Sequence, residues 1–416
     1  MVMSIPQRIL VAPSGFKESL DAVEVAAAIA AGIRRVIPGV QVTTVPMADG
    51  GEGTAAALCC ATGGRIVRHR VTGPVGDPVD SHFAMLGKVD RPTAVVEMAA
   101  AAGLRLVPAG LRDPGRTTTR GVGELILAAL DEGAERIIVG CGDSGTSDGG
   151  AGALRALGAR VLDADGVELP EGGAALADAA HLDLSGLDSR LSGCSIDLAL
   201  NPYNVLCGPQ GVARVFGPQK GASPDQVEVL SAGLDRWAQL LADASGRPES
   251  YLRTGPGTGA SGGLGAGLAA LGANLVPRFE LLLDSGLAGV DLDAHISRAD
   301  LVVTAEGAID FQTPRGKVPA EVARRAQAAG VPVLALAGSI GKDATDVHAA
   351  GIDAIAGIIP IPMDLDTAVA EGATLLREAT ERTFRVLLLG SAISSRLGDS
   401  RQGNSGQGTS RLGDAA

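Results

Sequence analysis

The sequence predicts an α/β fold in more than one compact unit, and three observations carry that prediction. At 416 residues the chain exceeds the usual size of one hydrophobic core, so two units, or one inserted into another, are expected. Apolar residues make up 46% but aromatic ones only 2%, so the core must be built from Ala, Val, Leu and Ile, which favours helices packed on sheets. After residue 300, β-like and helix-patterned runs alternate, as parallel strands with crossover helices do.

Residues 8–13 read as a short buried strand, and Asp21-Ala-Val-Glu24 can form a capping box for a helix to about Val36. Residues 41–47 are the next β-like run. Ala48-Asp-Gly-Gly-Glu-Gly-Thr54 follows, then an Ala-rich helical stretch to Ala61, which completes a strand, loop, helix unit. β character returns at 65–71, 79–86 and 94–98. A helix is predicted over 121–130, and a strand over 136–139 delivers a second rich loop at 140–150. Beyond a strand at 196–200 come a Pro/Asn/Gly segment to Ala222, a helix near 224–242 carrying Trp237, and a glycine cluster at 255–267 that opens onto an Ala/Leu helix. The C-terminal alternation runs strand 301–304, loop to Arg315, helix 317–329, strand 331–335, helix near 343–350, strand 352–359 and a last long helix. From about 393 the chain repeats Ser-Arg-Leu-Gly-Asp among Gly, Ser and Gln with too little apolar content to fold alone, so 393–416 is expected to be a disordered tail.

A formal charge of −12 argues against nucleic-acid binding, which leaves a basic footprint. An acidic protein that binds anions needs local devices instead: helix N-termini, backbone N–H groups, a few placed Lys or Arg, and divalent metal. The five cysteines include no C-x-x-C spacing and read as reduced thiols, with Cys59 and Cys60 packing in a helix. The N-terminal apolar run is too short for a signal peptide and no stretch reaches membrane-spanning length, so a cytoplasmic protein without a membrane partner is expected.

Gly140-Cys-Gly142-Asp-Ser-Gly145 satisfies G-x-G-x-x-G after a strand, with Asp163 and Asp165 about twenty residues on, and taken literally predicts a dinucleotide-dependent dehydrogenase. Asp143 and Asp148 in the same loop would repel a pyrophosphate unless a divalent cation intervened. Asp49 and Glu52, among glycines before a helix, can converge on a metal-bound or hydroxylated ligand, or Asp49 can simply cap the helix. Lys17 follows the first strand, where ligands collect in open α/β sheets, but an isolated lysine there also reads as solvated surface. Glu306 and Asp310 pair two carboxylates, and Thr313, Arg315 and Lys317 add an anion clamp near the next helix start. Phosphoryl transfer needs both kinds of group. No Walker or protein-kinase motif is present. The scattered histidines do not support a zinc site, and a G-x-S-x-G elbow is missing.

Ala12-Pro-Ser-Gly-Phe-Lys-Glu-Ser-Leu20, Pro46-Met-Ala-Asp-Gly-Gly-Glu-Gly-Thr54, Ser144-Gly-Thr-Ser-Asp-Gly-Gly-Ala-Gly152, Gly217-Pro-Gln-Lys-Gly221, Gly262-Gly-Leu-Gly-Ala-Gly267 and the segment 306–317 together resemble, in order and spacing over about 1–390, the bacterial type I glycerate kinases. The resemblance implies magnesium-dependent transfer of the ATP γ-phosphate to D-glycerate, usually giving 2-phosphoglycerate. It implies two α/β domains with the active site in the cleft between them: a Rossmann-like parallel-sheet domain formed by both chain ends (1–75 and 291–392) and an inserted mixed α/β domain (76–290). A homo-oligomer is compatible with it. Carried over by position, Lys17, Asp49 and Asp148 are candidate catalytic residues. Glu52, Ser144, Thr146, Asn201, Asn204, Lys220, Thr313, Arg315 and Lys317 are candidate substrate- or phosphate-binding residues, and Glu306 and Asp310 candidate magnesium ligands. Two departures bear on the substrate: Asn201 stands where relatives carry Asp, and Ala308 where they carry Arg, so a kinase of another small hydroxy acid is the alternative.

Overall fold

The structure, a computed structural model, describes residues 5–16, 19–287 and 289–403, with side chains through 393. The first segment contributes β1 (Arg8–Val11), α1 (Ala22–Val36) and β2 (Gln41–Thr44). The middle of the chain opens with α2 (Thr54–Thr62), β3 (Arg65–Thr72), β4 (Pro78–Met85), β5 (Thr93–Glu97), α3 (Met98–Ala102), α4 (Arg120–Asp131) and β6 (Arg136–Gly140). It continues with α5 (Ala151–Ala156), β7 (Arg160–Leu162), β8 (His181–Asp183), β9 (Ser195–Leu200), α6 (Val212–Phe216), α7 (Pro224–Ser245), α8 (Glu249–Thr254), α9 (Ala260–Ala270) and β10 (Asn274–Pro277). The last segment adds α10 (Leu292–Ser297), β11 (Leu301–Ile309), α11 (Val318–Ala328), β12 (Val333–Ile340), β13 (Ala354–Gly357), α12 (Leu365–Ala370) and α13 (Gly372–Gly403).

The chain divides into two compact units, Met1–Met47 with Leu292–Ala416, and Ala48–Asp291. In the first, both chain ends build one five-stranded parallel sheet in the order β13-β12-β11-β1-β2. The buried residues of β1, β11 and β12 pack on α1 and α13 through Ile9, Val11, Val303, Leu336, Ile29 and Phe384. The predicted capping box is present: Glu24 N–H donates to Asp21 Oδ1 at 2.8 Å and Asp21 N–H to Glu24 Oε2 at 3.0 Å. At the crossing of α1 and α13, a Cβ on Gly32 would lie 2.6 Å from the Arg377 carbonyl oxygen, so only glycine permits this approach.

The inserted unit holds a six-stranded mixed sheet, β10-β9-β6-β5-β4-β3, whose first four strands are parallel. Its faces follow the two-residue period of a strand. Ile137, Val139, Val96 and Leu198 join a core with α4, α7 and α9, while Ile138, Val95 and Ala199 face Leu58 of α2. Cys59 is buried there and Cys60 is exposed.

The structure adjusts several expectations. The inserted unit begins after Met47 and not at residue 76, because β3 pairs antiparallel with β4 and α2 packs on β3, β4 and β5. β11 extends to Ile309 through pairing with β12, which puts Glu306 on a strand. The helix expected near 343–350 is a short 3-10 turn, Ala344–His348. α13 continues to Gly403, eleven residues into the expected tail, and 404–416 lie outside the described residues. Among the described residues no helix is long and apolar enough to cross a membrane.

Candidate active site

In the inserted unit, β5, β6 and β9 end side by side, with Glu97 opposite Gly140 and Gly140 opposite Ala199. The loops leaving this carboxyl edge lie where open α/β sheets gather ligands. Backbone contacts tie them together: Cys141 N–H donates to Ala199 O at 3.1 Å, Gly142 N–H to Gly50 O at 2.9 Å, and Gly149 N–H to Gly262 O at 3.0 Å. Ser261, held at φ 53°, donates its hydroxyl to Cys141 O at 3.0 Å. Gly142 has to be glycine, since a Cβ there would sit 2.4 Å from Gly51 Cα.

That contact also disposes of the dinucleotide reading. The space that a pyrophosphate needs beside Gly140-Cys-Gly142 is filled by the backbone of Gly50 and Gly51, and the next helix does not start until Ala151. Asp163, the expected ribose partner, instead closes a turn by accepting from the Asp165 and Val167 N–H groups.

Asp49 opens the first loop. Its Oδ1 accepts from Gly51 N–H at 3.0 Å and its Oδ2 pairs with Arg278 Nη1 at 3.2 Å, while the side chain keeps 30% of its surface exposed. Arg278 also donates to Asp49 O and stacks 4.8 Å from the Phe279 ring centre. Glu52 pairs with Arg105, and its N–H donates to Asp143 Oδ2 at 3.4 Å. Behind this loop Glu97 is 1% exposed and accepts from Ala55 N–H at 2.6 Å. Burial pushes its pKa up to about 7, against the pull of the Ala55 and Gly53 N–H groups.

Ser144, Thr146 and Lys220 come together on the second loop. The buried Lys220 ammonium donates to Ser144 Oγ at 2.9 Å and to Thr146 O at 2.5 Å. Thr146 Oγ1 and Ser147 Oγ are buried with no hydrogen-bond partner among the described residues, a state that buried hydroxyls rarely keep. Asp148 is fully buried, and its oxygens accept from Thr119 N–H and Oγ1 (both 2.8 Å) and from Gly150 and Gly152 N–H (both 3.1 Å). Burial pushes its pKa up against those four donors. A carboxylate enclosed by four donors has the surroundings of a structural anchor. Asn201 accepts from Tyr203 N–H at 3.0 Å, and Asn204 O accepts from Gly259 N–H at 3.1 Å, which joins the 201–208 loop to the start of α9.

In the unit formed by the chain ends, Lys317 Nζ lies 3.2 Å from Glu306 Oε1 and 3.6 Å from Asp310 Oδ1, and donates to Ala308 O at 3.3 Å. Thr313 is buried with its hydroxyl accepting from Asp310 N–H at 3.1 Å, which braces the turn. Arg315 lies 5.8 Å from the Phe311 ring centre. Among the described residues no group of three His, Cys, Asp or Glu side chains could hold a metal alone. Two carboxylates flanking one ammonium do suit magnesium, which typically takes one or two carboxylates and completes its shell with phosphate oxygens and water. Lys17 lies outside the described residues.

Sequence reasoning missed Glu97, Arg278, Ser261 and Arg105. Only Glu97 left a signal, as an acidic residue directly after the apolar strand 93–96.

The glycerate kinase family model matches residues 9–388. A glycerate kinase of Bacillus subtilis (strain 168) is 48% identical over 379 residues, covering 91% of this chain and 96% of that protein. A glycerate 2-kinase of Escherichia coli (strain K12) is 44% identical over 384 residues, covering 92% and 98%. The crystal structure of a Salmonella typhimurium LT2 protein assigned as glycerate kinase 2 superposes with a TM-score of 0.68 at 42% identity, covering 92% of this chain and 99% of that one.

Proposed function

The chain belongs to the glycerate kinase family, and from that premise we propose that it transfers the γ-phosphate of ATP to D-glycerate, giving 2-phosphoglycerate. The observation that carries this reading is a match that runs through both units and takes in every loop described above. The 2-position is supported by the relative named a glycerate 2-kinase.

Phosphoryl transfer asks little covalent chemistry of a protein and much positioning and charge neutralisation. Asp49, partly exposed and oriented by Gly51 and Arg278, orients the acceptor hydroxyl. Lys220, with Ser144 and the unpartnered Thr146 hydroxyl, suits the substrate carboxylate, and Asn201 and Asn204 frame the adjoining loop. Lys17, Arg315 and Lys317 serve the phosphates. Glu306 and Asp310 would hold magnesium, which supplies positive charge to the phosphate oxygens when bound. Asp148 acts through the second loop, which it anchors. Replacing Lys317 with methionine removes the ammonium that would serve the phosphates beside Glu306 and Asp310. Initial rates against ATP should then show kcat/KM lowered by about tenfold or more, and a rate within twofold of the parent would remove Lys317 from this role.

The test of the function is ADP release with ATP and magnesium across D-glycerate, L-glycerate and related hydroxy acids, with the phosphorylated carbon read by NMR. D-glycerate is expected to give the highest kcat/KM. The second reading, a kinase of another small hydroxy acid, is favoured by Asn201 and Ala308 and would appear as a different acid leading the panel. No ADP release with any acid would sink both.

A further inference from the structure

Glu97 takes no part in the roles above, yet it is a buried carboxylate bonded to the helix that follows the Asp49 loop. α2 starts directly after that loop, and its N-cap, Gly53 at φ 90°, has no side chain to satisfy the first-turn amides that every helix leaves open. Glu97 supplies the acceptor from the end of β5, forty-two positions away in sequence, taking Ala55 N–H at 2.6 Å. The grip passes back along the loop. Thr54 Oγ1, one residue before Ala55, accepts from Gly50 N–H at 3.1 Å, and Gly51 N–H donates to Asp49 Oδ1 at 3.0 Å.

We propose that Glu97 is a positioning residue for phosphoryl transfer: as a carboxylate it holds the first turn of α2, and with it the 49–52 loop, in the conformation that presents Asp49. This rests on the kinase reading. The charges around Glu97 are Glu52, on the loop before α2, and Asp143, on the loop after β6, and both favour its neutral form. Arg105 pairs with Glu52, and His82 on β4 also lies in range of Glu52.

Two consequences of the same burial run in opposite directions. With its folded pKa raised to about 7, the stability that Glu97 contributes is fully present below the ordinary carboxylate range and is lost as pH rises through about 7. The grip on α2 is strongest where the group is charged, above about pH 7. A residue that only holds the fold together would lose stability and activity together, whereas Glu97 should separate them.

Glu97→Gln, a neutral isostere, is the variant to make in the full chain. At pH 8 its kcat/KM for glycerate should fall about tenfold or more, mainly in kcat, while its melting temperature equals the parent's or exceeds it by about 2–4 °C. The acid limb near pH 7 in the parent profile should vanish, and the gap between the two proteins should close toward pH 6. Glu97→Asp, charged but shorter, should restore part of the rate and the acid limb. Hydrogen exchange at Ala55, measured without substrate, reads the grip directly and should be faster in Glu97→Gln at pH 8. Unchanged Ala55 protection, an unchanged acid limb, or a lower melting temperature accompanying the lost rate would each overturn the role. A parent protein that releases no ADP with any acid overturns the kinase reading and this role with it. Normal rates in Glu97→Gln beside an active parent overturn the role alone.

Discussion

Replacing Asp49 with asparagine is expected to lower kcat by about 10²–10⁴-fold, the usual contribution of a placed general base, while KM for glycerate and ATP changes little. Asparagine is the demanding substitution because it keeps the shape and one acceptor for Gly51 N–H, now at 3.0 Å from Oδ1, and removes only the charge. The change therefore strips the group of its pull on an acceptor hydroxyl without opening the loop. A loss confined to kcat marks an interaction made in the transition state, whereas a rise in KM alone would mark uniform binding. Steady-state ADP release separates the two. The Arg278 pairing at 3.2 Å adds a control: the asparagine variant leaves that guanidinium without its anion, so a rise in KM shared by both substrates would point to a displaced Arg278 and not to a lost base. Near-normal kcat in Asp49→Asn would remove Asp49 from the base role.

What the sequence made legible depended on how local the determining contacts are. The capping box at Asp21 and Glu24 spans three residues, and it reads directly from composition and spacing. β5 and β6 are visible as short continuous apolar runs, the pattern of parallel strands buried on both faces. The glycine loops were visible as loops, but their mutual packing was not: that Gly142 must lie against Gly51 depends on a contact ninety-one positions apart in the chain. Arg278 is further removed, reaching Asp49 across 229 positions with no motif around it. The extension of β11 past Thr304 likewise needs a partner strand, since Ala308 and Ile309 pair with Ser339 and Ile340. Ala308 gains meaning only in place. The position where the resemblance leads one to expect an arginine is here a strand residue whose carbonyl accepts from Lys317, so lysine already brings positive charge to that backbone.

Asp148 makes the opposite case, a residue that the motif nominated for chemistry and that lies fully buried among four donors. Asp148→Ala is expected to destabilise the inserted unit by at least about 3 kcal/mol. It strands the Thr119, Gly150 and Gly152 N–H groups inside the protein, and each buried unsatisfied donor costs about 1–3 kcal/mol. For a unit of this size that corresponds to a fall in melting temperature on the order of 6–12 °C. Asp148→Asn should fall between the two, because its amide carbonyl still serves some of the donors while its NH₂ faces the others. Thermal denaturation of the three proteins, followed by kcat on the fraction still folded, decides between anchor and base. A base would lose kcat in Asp148→Asn at unchanged melting temperature. An anchor loses melting temperature in both variants, in the order alanine more than asparagine, and its rate falls with the order of the 144–150 loop. The four donors around Asp148 come from two segments, Thr119 before α4 and Gly150 and Gly152 at the start of α5, so one carboxylate ties the start of α4 to the end of the loop that carries Ser144 and Thr146. Rate and stability should therefore fall together in Asp148→Ala and separate in Asp49→Asn, and the contrast between the two aspartates tests both assignments at once.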